Sequence, residues 1–120
     1  MKHLASLLIV LILLVSCHKS EPFYSVDVSN NLKVKIGAVK IRWTDNYSVQ
    51  LGDIYPNSGA GEDFVHAPKG KTILSYYVGD KEIKKEIDII GIIPKNQSGS
   101  IIINIMENDV VEIKFKNKNE

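Results

Sequence analysis

The stretch TILSYYVGDKEIKKEIDI, residues 72–89, decides the fold class of this chain. Apolar and polar residues alternate on both sides of Gly79-Asp80, a pattern typical of strands with one buried and one solvated face. Glycine as the first residue of a two-residue connection suits a type II′ turn, which joins antiparallel strands. Residues 72–89 are therefore predicted to form a β-hairpin that buries Ile83, Ile87 and Ile89.

A change of parity in the preceding part of the chain predicts a bulge. Apolar side chains occupy the even positions of residues 32–36 and the odd positions of residues 39–43. Successive side chains of a strand point to opposite faces, so this switch requires one extra residue, and Gly37-Ala38 lies where a bulge would supply it. Leu32 to Thr44 is predicted to be one bent strand or two short ones.

The same alternation returns at residues 47–51, 101–105 and 111–115, with a short strand predicted at 64–67 and a turn at 107–109. No segment carries an apolar stripe at helical spacing over ten or more residues. The pattern indicates seven or eight strands. An all-β chain of this length favours a small antiparallel β-sandwich, Ig-like or transthyretin-like, with a small β-barrel as the alternative.

Gly52 to Asp63 interrupts the alternation with Pro56, Asn57 and several glycines, and it is predicted to be the longest loop. Polar and aromatic side chains gather in and beside it, which makes it the candidate binding loop for a carbohydrate or a divalent metal. The alternative is that the aspartates end strands and that the other side chains are solvated. The residues concerned are Asp53, Tyr55, Glu62, Asp63 and His66.

Two isoleucine-rich segments, residues 89–93 and 101–103, are apolar on both strand faces. The odd-numbered isoleucines continue the inward parity of their hairpins, which leaves Ile90, Ile92 and Ile102 on the opposite face. A strand that is apolar on both sides needs cover on both. That face is therefore either covered by the chain itself or forms an interface with a partner.

The charge balance excludes one class of partner. The chain has 15 basic and 14 acidic residues. Signs alternate along it without a basic stripe, so no long-range field attracts nucleic acid.

The first 17 residues form an export signal. Lys2 and His3 precede an almost unbroken apolar run, Leu4 to Val15, which is shorter than the ~20 residues needed to span a bilayer. The run ends in Leu14-Val15-Ser16-Cys17, and Cys17 is the only cysteine. The pattern predicts a cleaved signal peptide.

The Leu-Val-Ser-Cys ending resembles the lipobox of bacterial lipoproteins. The resemblance implies that residues 1–16 are removed and that Cys17 carries fatty acyl chains, with residues 17–22 as a lipidated tether. The remaining 23–120 are predicted to form one β-sandwich domain. No aspartate follows Cys17 directly. By resemblance to the sorting pattern of lipoproteins in bacteria with two membranes, this implies a location on the outer membrane. The order of a loop, a short strand and a hairpin in residues 49–89 also resembles that of small β-sandwich domains of the cell envelope.

These observations predict a non-catalytic, membrane-anchored binding or scaffolding module of the bacterial cell envelope with a protein partner. The alternative is a ligand-binding lipoprotein that uses the Gly52 to His66 loop for a carbohydrate or metal. No catalytic residue is assigned, because no serine lies in a recognisable nucleophile context that could use His66. No cofactor and no metal site are assigned either.

Substitution of Cys17 tests the lipid anchor. Cys17→Ser removes the acylation site, so the protein is expected to lose its resistance to extraction from membranes and its normal processing. Membrane fractionation and intact mass measurement report both properties. Normal processing and unchanged membrane retention of Cys17→Ser would contradict the lipoprotein interpretation.

Overall fold

A computed structural model describes residues 24–43, 47–64, 70–94 and 97–118. Eight strands and one short 3-10 turn make up this part of the chain. The strands are β1 (Tyr24–Asn30), β2 (Ile36–Trp43), β3 (Ser48–Ile54), β4 (Ser58–Phe64), β5 (Thr72–Val78), β6 (Lys81–Ile87), β7 (Gly99–Met106) and β8 (Val110–Asn117), and the 3-10 turn is Ile90–Ile92. Within the described residues, no helix has the length and apolar character needed to cross a membrane.

The strands form two four-stranded sheets. One, the β1 sheet, has the order β4-β1-β7-β8, and the other, the β2 sheet, has the order β3-β2-β5-β6. This arrangement confirms the all-β sandwich. Of the six pairings among described strands, five are antiparallel, but β1 and β7 run parallel, with Tyr24 opposite Gly99. The predicted antiparallel sandwich thus contains one parallel pairing, which the sequence did not indicate because only the tertiary fold brings the first strand beside the seventh.

Both predicted hairpins are confirmed. β5 and β6 pair in register around Gly79-Asp80, and Gly79 has the positive φ, +61°, that a type II′ turn requires at its first position. β7 and β8 pair around residues 107–109. Asn108 and Asp109 have φ values of +65° and +60°, a conformation that these two residue types tolerate better than most.

The predicted bulge at Gly37-Ala38 is also confirmed. The pairing of β2 with β3 and with β5 shifts register at this point, and Ala38 has a φ of +47°. The extra residue lets Ile36 and Val39 both face the core despite their opposite parity. The predicted start of the strand at Leu32 is wrong, however, because β2 begins at Ile36.

A buried amide explains this late start. The Asn30 side chain, fully buried at the end of β1, donates from Nδ2 to the carbonyl oxygens of Val34 and Ile54, both at 2.9 Å. Its Oδ1 accepts from the backbone N–H of Leu32 at 2.9 Å. These bonds hold residues 31–35 in a non-strand conformation.

The predicted loop from Gly52 to Asp63 is wrong. β3 extends to Ile54 and β4 begins at Ser58, so only residues 55–57 form a corner between the sheets. The glycines allow β4 to lie closely against β1. A Cβ at Gly61 would collide with Asp27 and the backbone oxygen of Val26, and one at Gly59 would lie 3.1 Å from the Val28 carbonyl oxygen. Glycine here serves strand packing, and a strand interior is where sequence reasoning expects it least.

The core lies between the sheets and is formed by apolar side chains that the alternation predicts to point inward. Five of the odd-numbered isoleucines of β6, β7 and their connection are buried, as is Trp43, whereas Ile83, predicted to be buried, is half-buried and packs against the core. Tyr76 is buried and its neighbour Tyr77 is exposed, as the strand alternation requires. The isoleucines concerned are Ile87, Ile89, Ile101, Ile103 and Ile105.

Neighbouring isoleucines of β7 provide a matched stability test. Ile103 is fully buried in the core, whereas Ile102 is partly exposed on the outer side of the β1 sheet. Ile103→Ala is expected to lower the free energy of unfolding by about 2–5 kcal/mol, because it leaves a cavity. Ile102→Ala is expected to cost well under about 1 kcal/mol, as for other substitutions outside the core. Urea denaturation measures both, and equal losses would contradict the assigned facing of β7.

Candidate functional site

The structure does not bring the predicted loop residues together. Asp53 lies on the outer side of the β2 sheet, and Glu62 and Asp63 occupy successive positions of β4 in the other sheet, so their side chains point to opposite faces. His66 lies outside the described residues. Among the described residues no three His, Cys, Asp or Glu side chains could jointly hold a metal ion. Asp53, Glu62 and Asp63 therefore do not form the predicted joint site.

Asp53 instead stabilises the bulge. Its Oδ1 accepts a hydrogen bond from the backbone N–H of Ala38 at 3.0 Å, and its Oδ2 lies 3.6 Å from Lys35 Nζ. A left-handed conformation costs a residue with a Cβ roughly 1–2 kcal/mol, so Ala38 needs support of this kind. The carboxylate thus has a structural partner on the bulge itself.

Tyr55 is exposed, as predicted, with 64% of its surface accessible at the corner between β3 and β4. Lys35 Nζ lies 5.9 Å from the centre of its ring, within the range of a cation–π contact. A binding role for Tyr55 stays a prediction.

The three isoleucines predicted to share one face lie apart. Ile102 is on the outer side of the β1 sheet, opposite Asp27 in β1 and Lys114 in β8. Ile90 and Ile92 belong to the 3-10 turn, which replaces the predicted strand. Ile90 and Ile92 therefore do not share a strand face with Ile102, because strand parity does not extend into that turn. An interface formed by these residues stays a prediction.

A different surface combines charge, an aromatic ring and a concave shape. The outer side of the β2 sheet forms an open depression of about 280 Å³, which we call the β2-sheet face. Cross-strand pairing sets its layout: Lys40 lies opposite Ser75, which lies opposite Lys84, and Arg42 lies opposite Ile73. It is lined by Ala38, Lys40, Arg42, Ile73, Ser75, Tyr77, Glu82 and Lys84.

The β2-sheet face carries an excess of positive charge. The depression is lined by three cations, Lys40, Arg42 and Lys84, and one carboxylate, Glu82. Asp53 and Glu86, on the same side of the sheet, are paired with Lys35 and Lys71. Lys84 Nζ lies 3.2 Å from Glu82 Oε1. Within the described part of the chain, neither Lys40 nor Arg42 has a carboxylate within ion-pair distance. Lys40 and Arg42, which are two residues apart on the same side of β2, are therefore available to an external anion.

Glu82 is held by two neighbours. The Tyr77 hydroxyl donates a hydrogen bond to Glu82 Oε2 at 2.5 Å. This bond, together with the hydrogen bond from Lys84, lowers the pKa of Glu82 below its usual value of 4.5. The same contact raises the pKa of Tyr77 above 10.0, because the hydroxyl proton is shared with an anion. Glu82 is thus ionised and Tyr77 protonated at neutral pH.

Sequence reasoning missed this face although it assigned several of its residues to the solvated side of their strands. Alternation along one strand shows which side chains point outward, but it does not show which strands are neighbours. The pairing of β2 with β5, which are separated by two other strands in the sequence, places Lys40 and Arg42 beside Ile73 and Ser75. The predicted parity switch at Ala38 was the one available signal that the sheet is irregular at this point.

Comparisons with known proteins bear on the fold alone. No protein-family model matches the chain, and no curated protein matches it. Among solved structures, the NMR structure of a protein from Eubacterium rectale is similar, with 11% sequence identity and a TM-score of 0.53. The likeness covers 82% of this chain and 92% of that one. At this identity it shows that the two chains share a fold.

Proposed function

We propose that this protein is a membrane-anchored lipoprotein of the bacterial cell envelope. In this proposal the acylated Cys17 holds it on the outer membrane, and its β-sandwich is a non-catalytic module that binds another envelope component through the β2-sheet face. The observation that carries the binding role is the pair Lys40 and Arg42, which project side by side from a concave sheet without internal carboxylate partners in the described residues.

The chemistry of the face suits an acidic protein segment. Side chains two residues apart on a strand emerge about 6.6 Å from each other, so Lys40 and Arg42 can contact successive carboxylates of an extended chain. The arginine guanidinium binds a carboxylate with two parallel hydrogen bonds, which adds geometric specificity. Ile73 and Tyr77 beside these cations offer apolar area to the same segment.

Glu82 adjusts the strength of this attraction. Its lowered pKa keeps it ionised through the neutral and mildly acidic range, so three cations face one anion over that range. Because Lys84 is paired with Glu82, the free charge is concentrated on the Lys40 and Arg42 side. The acidic part of a partner is therefore expected to lie over β2, with the apolar part over β5.

The alternative function, a ligand-binding loop for a carbohydrate or metal, depended on a loop from Gly52 to His66. Most of that stretch is paired strand up to Phe64, and its carboxylates point in different directions. The β2-sheet face has the stronger support as the binding surface.

Site-specific photo-crosslinking in the living cell tests this proposal. A photo-reactive amino acid at Ser75, in the middle of the β2-sheet face, is expected to crosslink a partner, whereas the same residue at Asn104, on the outer side of the β1 sheet, is not. Lys40→Glu combined with Arg42→Glu is expected to abolish the Ser75 product. High salt should weaken it, because the screening length falls from about 8 Å at physiological ionic strength to about 3 Å at 1 M.

The matched control reverses the charge of two lysine side chains on the other sheet. Lys114 and Lys116 are exposed on the outer side of β8, so Lys114→Glu combined with Lys116→Glu makes the same charge change away from the face. The Ser75 product should survive this control. A product that resists reversal of Lys40 and Arg42, or the absence of any product at Ser75, would overturn the proposed binding face.

The Tyr77 and Glu82 contact makes a separate prediction about pH. Tyr77→Phe removes the hydroxyl that lowers the pKa of Glu82, so this pKa is expected to rise toward 4.5. Since the folded-state pKa lies below the unfolded one, the contact stabilises the fold above about pH 4.5 and loses this contribution as the pH falls through the folded pKa. NMR titration of the Glu82 carboxyl carbon measures the shift, and an identical titration in both proteins would disprove the contact.

A further inference from the structure

One end of the sandwich is defined by the start of β1. The corner at residues 55–57 joins the end of β3, opposite Ile36, to the start of β4, opposite Asn30, so Asn30 and Ile36 lie at the same end. The other ends of β1 and β2, Tyr24 and Trp43, therefore lie together at the opposite end. We call this the β1-start end.

The 3-10 turn Ile90–Ile92 is at the β1-start end. β6 ends at Ile87, opposite Thr72, which in turn lies opposite Trp43. β7 begins at Gly99, opposite Tyr24. The connection between β6 and β7 thus passes from one sheet to the other across the end of the sandwich where the chain enters from Cys17.

This turn displays an aliphatic side chain to solvent. Ile89 is completely buried and fixes the turn to the core, while Ile90 has 44% of its surface exposed and Ile92 is half-buried. Asp88 Oδ1 accepts a hydrogen bond from the Gly91 N–H at 2.8 Å, and the Ile92 N–H donates to the Ile89 carbonyl oxygen at 3.2 Å. A Cβ on Gly91 would collide with the Asp88 carboxylate, so the turn is closely packed. Ile90 is therefore held outward by a well-defined local structure.

The length of chain before β1 limits how far this end can be from a lipid anchor. Tyr24 lies seven positions after Cys17, so seven Cα–Cα steps join the two residues. Even fully extended they reach only about 23–25 Å, and any compaction brings the sandwich closer. If Cys17 is acylated, the β1-start end is the part of the sandwich that the tether keeps next to the bilayer.

From this geometry we infer that the Ile90–Ile92 turn inserts into the interfacial layer of the membrane that holds the anchor. The inference rests on the proposed lipidation of Cys17. Among the described residues that line the surface beside the turn, Lys71 is paired with Glu86 at 3.9 Å and Asp88 is acidic, so the isoleucine side chains, and not basic ones, supply the contact. The occupant is thus the lipid surface itself, and the contact orients the sandwich end-on, with the β2-sheet face turned sideways and open.

Single-cysteine labelling tests this orientation in the full-length acylated protein. Acylation blocks the sulfur of Cys17, the only native cysteine, so Ile90→Cys provides one reactive thiol. Val34→Cys is the matched control, because Val34 is an aliphatic residue of similar exposure, 49% against 44%, and lies beside Asn30 at the opposite end. Each variant carries an environment-sensitive fluorophore and is reconstituted into phosphatidylethanolamine and phosphatidylglycerol vesicles.

At Ile90 the fluorophore is expected to be quenched by nitroxide-labelled lipid and to show a severalfold smaller quenching constant for aqueous acrylamide than at Val34. Ile92→Cys on the same turn is expected to give the same result, and thermal melting verifies that each variant folds. Equal acrylamide quenching at both ends would overturn the inference. Protection from acrylamide without quenching by nitroxide lipid would also overturn it, because a protein, and not lipid, would then cover the turn.

Failure of the anchor gives a distinct signature. If Cys17 is not acylated, each variant takes up two fluorophores and does not remain with the vesicles, and the lipoprotein proposal fails together with this inference. If each chain instead carries one fluorophore and stays with the vesicles, but the fluorophore at Ile90 is exposed to water, the insertion is refuted and the lipoprotein proposal is not.

Discussion

The buried amide of Asn30 is the interaction on which the arrangement of the two sheets depends. Its side chain bonds the backbone of the loop after β1 and the end of β3 in the other sheet. The backbone carbonyl oxygen of Asn30 accepts a hydrogen bond from the Asn57 N–H at 2.8 Å, which fixes the corner where β3 becomes β4. A fully buried amide must satisfy its donors and acceptor within the protein, so this set of bonds permits one path for the chain. The two sheets are therefore joined in a defined register at this end.

The bulge in β2 is the second constraint, and it links the fold to the proposed site. The extra residue at Gly37-Ala38 turns Ile36 and Val39 to the core and leaves Lys40 and Arg42 on the outer side. Asp53 bonds the Ala38 N–H, so the carboxylate that first suggested a ligand site instead maintains the shape of the sheet beside the face. A bulge increases local twist and redirects side chains, which is a common feature next to binding surfaces.

The described surfaces divide the proposed roles between different parts of one small sandwich. The β1-start end carries the exposed Ile90 and is the end at which the proposed tether would join the sandwich. The β2-sheet face, at the side, carries Lys40 and Arg42, which have no carboxylate partner among the described residues. The corner with Tyr55 lies at the end away from the tether. An end-on orientation would leave both the face and the corner accessible to the envelope, so anchoring and binding would not compete for the same surface.

The sequence by itself determined the all-β class, both hairpins, the parity of the buried isoleucines and the bulge, because each follows from side-chain alternation within 20 residues of chain. Alternation also requires neighbours on a strand to face opposite ways, as Tyr76 and Tyr77 do. It failed at the glycine-rich β4, whose pairing depends on close approach to β1, and at Ile90–Ile92, where the backbone leaves the strand conformation.

Only the tertiary structure decided which strands are neighbours. The parallel pairing of β1 with β7, the long-range bonds of Asn30 and the assembly of Lys40 and Arg42 with Ile73 and Tyr77 all join residues distant in the chain. The physical reason is that a strand's pattern specifies which face is buried, but the identity of its neighbour is set by competition among all strands for backbone hydrogen bonds and core volume. That competition is resolved only when the whole chain packs.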